Sequence, residues 1–183
     1  MNAQVAAQQV AAQKLAARRA LDAWLARAGV PHEPGARPGE LVLQLPGEAK
    51  LRVTVSVLLG RRLSATAFVV RRPDENHQEF YRRLLRRNVR LPGVAFAVDD
   101  SGDVYLTGSL PLAGVTEETL DELLGAILVT VDGSFNELLS LGFAESIRRE
   151  WRWRLDRGEP TANLAAFGHL RPLDQESEAD PAP

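Results

Sequence analysis

The stretch Leu51-Arg52-Val53-Thr54-Val55-Ser56-Val57 decides the fold. Apolar residues fall at every second position with Arg52, Thr54 and Ser56 between them, the period of a strand with one buried face. Upstream, Leu41, Leu43 and Leu45 alternate in the same way and Pro46-Gly47 turns the chain. Downstream, Gly60-Arg61-Arg62 is the next turn, and Leu63 to Arg71 forms a third strand. That strand is apolar on both faces at its far end, through Phe68, Val69 and Val70, as a central strand would be. Connections this short join antiparallel neighbours, so residues 41–71 read as a meander.

Helical patterns surround it. Gln4 to Ala28 consists of strong helix formers, with Leu21, Trp24, Leu25 and Ala28 at helical spacing. Pro73-Asp74 opens a second helix whose apolar stripe is Phe80, Tyr81, Leu84, Leu85 and Val89. Two more strands, Val94 to Val98 and Val104 to Leu110, flank an Asp/Gly turn. Thr116 caps a long helix with Glu117 and Glu118 in its first turn, Gly142 breaks it, and Ala144 to Leu155 resumes. The order α-βββ-α-ββ-αα predicts an α+β fold, an antiparallel sheet of about five strands with the helices packed on one side. The expected divisions are a helix over 1–28, a Pro/Gly linker over 29–40, the α+β domain over 41–157, and an extended, acidic, partly disordered tail over 158–183.

Composition excludes more chemistry than it supports. The 183 residues suit one domain, and 45% hydrophobic with 25% charged residues is globular usage. With no cysteine there are no disulfides, thiol nucleophiles or cysteine-ligated metals. His32, His77 and His169 lie in separate segments without a histidine at i+3 or i+4, so no metal centre is expected. Asp99-Asp100-Ser101-Gly102-Asp103 opens like a calcium loop, but Val104 and Leu110 stand where glycine and the bidentate Glu are needed. No serine sits in a Gly-x-Ser-x-Gly elbow and no glycine-rich phosphate loop occurs. The i, i+4 carboxylate pairs Glu117/Asp121 and Glu118/Glu122 suit a helix dipole better than acid–base work. The expectation is a non-enzymatic protein with no cofactor and no bound metal. The opening lacks a cationic start followed by an apolar block, and no run of about 18 apolar residues occurs. A cytoplasmic chain without a membrane partner is therefore expected.

Charge is segregated along the chain. Between Arg61 and Arg90 nine arginines face three acids, whereas Leu91 to Ser146 holds ten acids and no Lys or Arg. Three readings compete: pairing within the chain or across a dimer, recognition of an acidic protein surface, or nucleic-acid binding. The residues at stake are Arg82, Arg83, Arg86 and Arg87 on the second helix. On the last helix Phe143, Ile147 and Trp151 form one stripe, while Trp153 points elsewhere and hints at contact with another surface.

The ordered set Phe80-Tyr81-Arg82-Arg83-Leu84-Leu85-Arg86-Arg87-Asn88, Phe96-Ala97-Val98-Asp99, Gly102-Asp103-Val104-Tyr105, Asp132-Gly133-Ser134-Phe135-Asn136, Leu141-Gly142-Phe143 and Ile147-Arg148-Arg149-Glu150-Trp151 resembles the YbjN-like family in its high-GC bacterial form. The resemblance runs from about Gly39 to Arg154. It implies a fold like that of type III secretion chaperones, small α+β proteins, usually dimers, that bind segments of other proteins. It also implies a sensory or stress-regulatory role, with no catalytic residues to carry over. The combined expectation is a homodimeric, chaperone-like adaptor for a protein client, the alternative being a nucleic-acid-associated regulator that uses the arginine helix 80–90. Phe68 and Val70 would form an apolar docking patch opposite Leu63, Ala65, Ala67 and Val69, with Arg82, Arg83, Arg86 and Arg87 as its charged rim and Trp153 as a second surface.

Overall fold

The two-residue period of the meander carries directly into the sheet. The computed structural model describes residues 3–172. Its strands are β1 (His32–Pro34), β2 (Glu40–Pro46), β3 (Arg52–Leu59), β4 (Arg62–Val70), β5 (Val94–Val98) and β6 (Val104–Pro111). Its helices are α1 (Ala3–Ala28), α2 (His77–Asn88), α3 (Glu117–Gly142) and α4 (Ala144–Arg157), with 3-10 segments at Leu112–Gly114 and Ala162–Leu170. The sheet is antiparallel throughout in the order β1-β2-β3-β4-β6-β5, so the chain crosses over once, from β4 through α2 to the outer strand β5.

Six strands form where about five were expected. The added strand lies inside the stretch expected to be a linker: His32 to Pro34 pair with Leu43 to Leu41. Arg37 and Glu40 fold the following turn, with Arg37 donating from its backbone N–H at 2.9 Å and its guanidinium at 2.7 Å. The tail also departs from expectation. Ala162–Leu170 buries Leu164, Phe167 and Leu170 against Trp151, whose indole N–H donates to the Phe167 carbonyl at 3.1 Å. The expected disorder of the last residues falls on 173–183, outside the described residues.

One sheet face meets all the helical packing. Leu43, Val53, Val55, Val57, Leu63, Ala65, Ala67 and Leu106 are wholly buried there against Leu120, Leu124, Ile127, Val131 and Leu138 of α3. Thr116 opens α3 with a capping box shared with Thr119. By length and hydropathy α3 alone among the described helices could span a bilayer, but its apolar stripe is the centre of this core. Its first turns hold α1: Asp121 accepts the Trp24 indole N–H at 2.7 Å, and Glu117 accepts from Arg27 at 3.0 Å. The i, i+4 carboxylates of that turn thus anchor a helix. Ala17, Leu21, Trp24 and Leu25 of α1 are buried, whereas Ala28 is exposed.

Both sheet edges are obstructed. β1 has three residues and ends in proline. On β5, the Asn88 side chain accepts the Phe96 N–H at 2.8 Å and donates to the Phe96 carbonyl at 3.2 Å, occupying the outward groups at the middle of the strand.

Candidate functional site

The other sheet face carries no helix among the described residues. Gln44, Thr54, Ser56, Ser64, Thr66 and Thr107 lie half-buried across it, the residues that alternate with the core positions. Phe68 stands at its far end, 38% exposed, edge-on to Tyr105 with ring centroids 5.6 Å apart. Burial and the carboxylates of Asp99 and Asp103 raise the Tyr105 phenol above its ordinary value.

Val70 does not join Phe68. The β4–β6 register pairs Phe68 with Tyr105 and Val70 with Val104, leaving Val69 as an extra residue between them. This β-bulge breaks the two-residue alternation and turns Val70 to the core face, where it is 5% exposed. The bulge also coincides with a parting of strands. Pairing of β3 with β4 ends at Val55 and Ala67, so the carbonyls of Phe68 and Val69 lose their partner strand. Lys50 takes its place: its ammonium donates to the Phe68 carbonyl at 2.5 Å and to the Val69 carbonyl at 2.7 Å. The same ammonium lies 4.8 Å from the Phe68 ring centroid and 5.3 Å from that of Phe135. Burial pulls its pKa down to about 8.

Asp132 positions that lysine from the middle of α3. Its carboxylate accepts the backbone N–H groups of Ala49 at 3.0 Å and Lys50 at 2.8 Å. Gly47 permits the approach, since a Cβ there would sit 2.4 Å from the Asp132 oxygen. Between the Lys50 turn, the end of β4, α3 and the start of α4 lies a cavity of about 430 Å³. Lys50, Phe68, Val69, Val70, Phe135, Leu139 and Phe143 line it, with Arg71 and Ser146 at its border. The Arg71 guanidinium stacks 4.5 Å above Phe143 and pairs with Asp74 at 2.6 Å, which holds that carboxyl below its usual range.

The arginine helix lies elsewhere. α2 packs Phe80 and Leu84 into the helical layer, and Arg83 and Arg87 both reach Glu137 of α3, the former at 3.2 Å. Arg82 pairs with Glu79 at 3.3 Å. Arg86 and Arg90 border an open cleft and have no carboxylate within ion-pair distance among the described residues. The expected rim around Phe68 is therefore not assembled: Arg83 and Arg87 are held by Glu137 and Arg82 by Glu79, and none of the α2 arginines lines the cavity beside Phe68. Trp153 is 45% exposed on α4, with the Arg157 guanidinium 5.1 Å over its ring. Among the described residues no group of three or more His, Asp or Glu side chains gathers as a metal site.

Lys50 and Asp132 were not singled out as site residues by sequence reasoning. The available signal was that Lys50 is one of only two lysines in a chain with 22 basic residues.

The chain belongs to the YbjN family, "Putative bacterial sensory transduction regulator", whose model matches residues 18–140. It is 50% identical over 145 residues to an uncharacterized protein of Mycobacterium tuberculosis (strain ATCC 25618 / H37Rv), covering 79% of each chain. A second uncharacterized protein, from Mycobacterium leprae (strain TN), is 46% identical over 141 residues, 76% of each chain. Among solved structures, a chain of the HopA1–SchA chaperone–effector complex aligns with TM-score 0.50 and 16% identity over 66% of this chain and 93% of that one. A chain of the heterodimeric ExoU–SpcU complex from the type III secretion system of Pseudomonas aeruginosa aligns with TM-score 0.49 and 20% identity, covering 67% and 97%. At 16% identity the likeness is one of fold, the α+β chaperone-like layout expected from the ordered motifs.

Proposed function

We propose that this YbjN-family chain is a non-enzymatic, chaperone-like adaptor that binds a segment of another protein on the helix-free face of its sheet. The observation that carries the reading is the exposed Phe68, edge-on to the half-buried Tyr105, at the end of a face that is mostly Thr, Ser and Gln with Val42 and Leu58 among them. Both edges of the same sheet are obstructed by Asn88 and by the short β1, which favours the face over strand addition. An apolar anchor set in a polar surround is the usual composition of a transient interface. The fold neighbour's presence in a chaperone–effector complex agrees with this reading. The proposal places the protein in the cytoplasm as a homodimer, in a sensory or stress pathway, with light scattering at ~20 kDa across a wide concentration range counting against the dimer.

The test is a comparative capture from native lysate with wild type, Phe68→Ala, Thr66→Arg and the double variant Arg83→Glu/Arg86→Glu. Removing Phe68 is expected to weaken the captured partner by roughly 1–3 kcal/mol, as truncation of an aromatic anchor does. Thr66→Arg, in the middle of the face, is expected to abolish capture, while the arginine variant retains it. A partner held equally by all four proteins overturns the reading. The nucleic-acid alternative has one observation in its favour, the cleft bordered by Arg86 and Arg90. A gel shift with generic DNA that weakens steeply with salt and is lost in the arginine variant would establish it instead.

A further inference from the structure

We propose that the cavity between Lys50, the end of β4 and the helices α3 and α4 is a binding site for a small apolar carboxylic acid, with Lys50 receiving the carboxylate. This inference does not rest on partner binding at the sheet face. The cavity's volume of about 430 Å³ falls within the range of small-molecule sites, and its walls match their composition, mostly apolar with few polar groups. Val69, Val70 and Phe143 form buried walls, and the half-buried Phe135 and Leu139 give an apolar guest a surface to cover.

The polar end is defined by one group. An ammonium has three N–H donors, and two of those on Lys50 are committed to the Phe68 and Val69 carbonyls. These bonds and the flanking rings fix its position while leaving a donor and the full positive charge to a ligand. No carboxylate lies within ion-pair distance of it among the described residues. Asp132 directs one carboxylate oxygen to the backbone N–H groups of Ala49 and Lys50 rather than to the ammonium. Arg71 adds a second cation at the border, although Asp74 already meets it. A charge held half-buried among aromatic walls, with no carboxylate paired to it among the described residues, selects an anion carried on an apolar body. A neutral guest of the same shape forgoes that pairing, and a strongly hydrated inorganic anion gains nothing from the walls.

Titration of the full chain with octanoate and with octanamide, followed by calorimetry and by backbone amide shifts, tests this. Octanoate is expected to bind saturably, at least tenfold more tightly than octanamide, with the largest shifts at Lys50 and Phe68 to Arg71. Lys50→Met keeps the aliphatic stem and is expected to remove the preference for the carboxylate. Ser146→Trp, which blocks the border of the cavity without touching the lysine, is expected to remove binding of both and serves if Lys50→Met folds poorly. Equal binding of acid and amide, unchanged octanoate binding by both variants, or no octanoate binding up to its solubility would overturn the proposal. So would binding of an acetylated peptide ending in Leu-Phe carboxylate with no binding of octanoate, since the site would then belong to a chain terminus.

Discussion

Gly142→Ala and Gly133→Ala add the same methyl group to the same helix and are expected to act with opposite sign. Replacing a helical glycine by alanine ordinarily stabilises by up to about 1 kcal/mol, through backbone entropy and propensity. At Gly133, exposed and with nothing within 4 Å of the new Cβ, that gain is expected nearly in full, about 0.5–1 kcal/mol. Gly142 is the last residue of α3, where the propensity gain is smaller. Its new Cβ would lie 2.8 Å from the Cβ of Pro73 and 2.9 Å from Cε2 of Phe80. Favourable carbon contacts need about 3.5–4.0 Å, so roughly 1 Å of overlap must be relieved. Neither neighbour yields easily: Pro73 is a buried ring and Phe80 is wholly buried. The Gly142 carbonyl also accepts the N–H groups of Asp74 and Glu75, which ties the same loop to the helix end. Overpacking of this kind costs about 1–3 kcal/mol, leaving a net loss of about 1–2 kcal/mol. For a chain of this size that lowers Tm by about 2–4 °C per kcal/mol. Urea unfolding followed by circular dichroism reads both variants, with unchanged m-values required for the comparison. Gly142→Ala at or above wild-type stability would refute the close-packing argument and return Gly142 to the role of a simple helix breaker.

Asn88→Ala frees the N–H and C=O of Phe96 on the outer strand, and concentration-dependent self-association by sedimentation is the expected result; a variant that stays as dispersed as wild type means the edge is protected otherwise. Glu40, held by the Arg37 guanidinium and by Ser56, has its pKa lowered from 4.5 to about 2. A lowered carboxylate stabilises above its unfolded value and loses that contribution as pH falls towards the folded one. Acid titration of stability should therefore show a loss between about pH 4.5 and 2 that is smaller in Glu40→Gln, and identical profiles would discount the cluster. Trp24→Phe keeps most of the buried ring but leaves the Asp121 carboxylate without the indole N–H, so a loss of about 1–2 kcal/mol is expected in the same urea assay.

The alternation of Leu41 to Leu45 and of Val53 to Val57 was enough to place β2 and β3 and their buried faces, because a two-residue period leaves one choice of face once a core exists. Leu120, Leu124, Ile127 and Val131 recur at helical spacing in the sequence, which likewise names the core side of α3. The same rule failed at Val70, where a single inserted residue reverses the facing of everything after it. It also missed β1, since His-Glu-Pro has no apolar period and pairs only because β2 offers an open edge. Arg83 and Arg87 were legible as charges, and Glu137 as their partner was not.

What the sequence by itself determined is therefore the main strands and helices apart from β1 and the Ala162–Leu170 segment, most of their apolar faces and the absence of thiol chemistry, all encoded in residue types and spacings within a few positions. Tertiary structure alone decided where β3 leaves β4, and so that Lys50 meets carbonyls 18 and 19 residues away while Asp132 fixes it from 82 residues further along the chain. The physical reason is range. Backbone propensity and hydrophobic period act between near neighbours, whereas a bulge, a parted strand pair and a half-buried cation exist only once packing has set distant segments at hydrogen-bond distance.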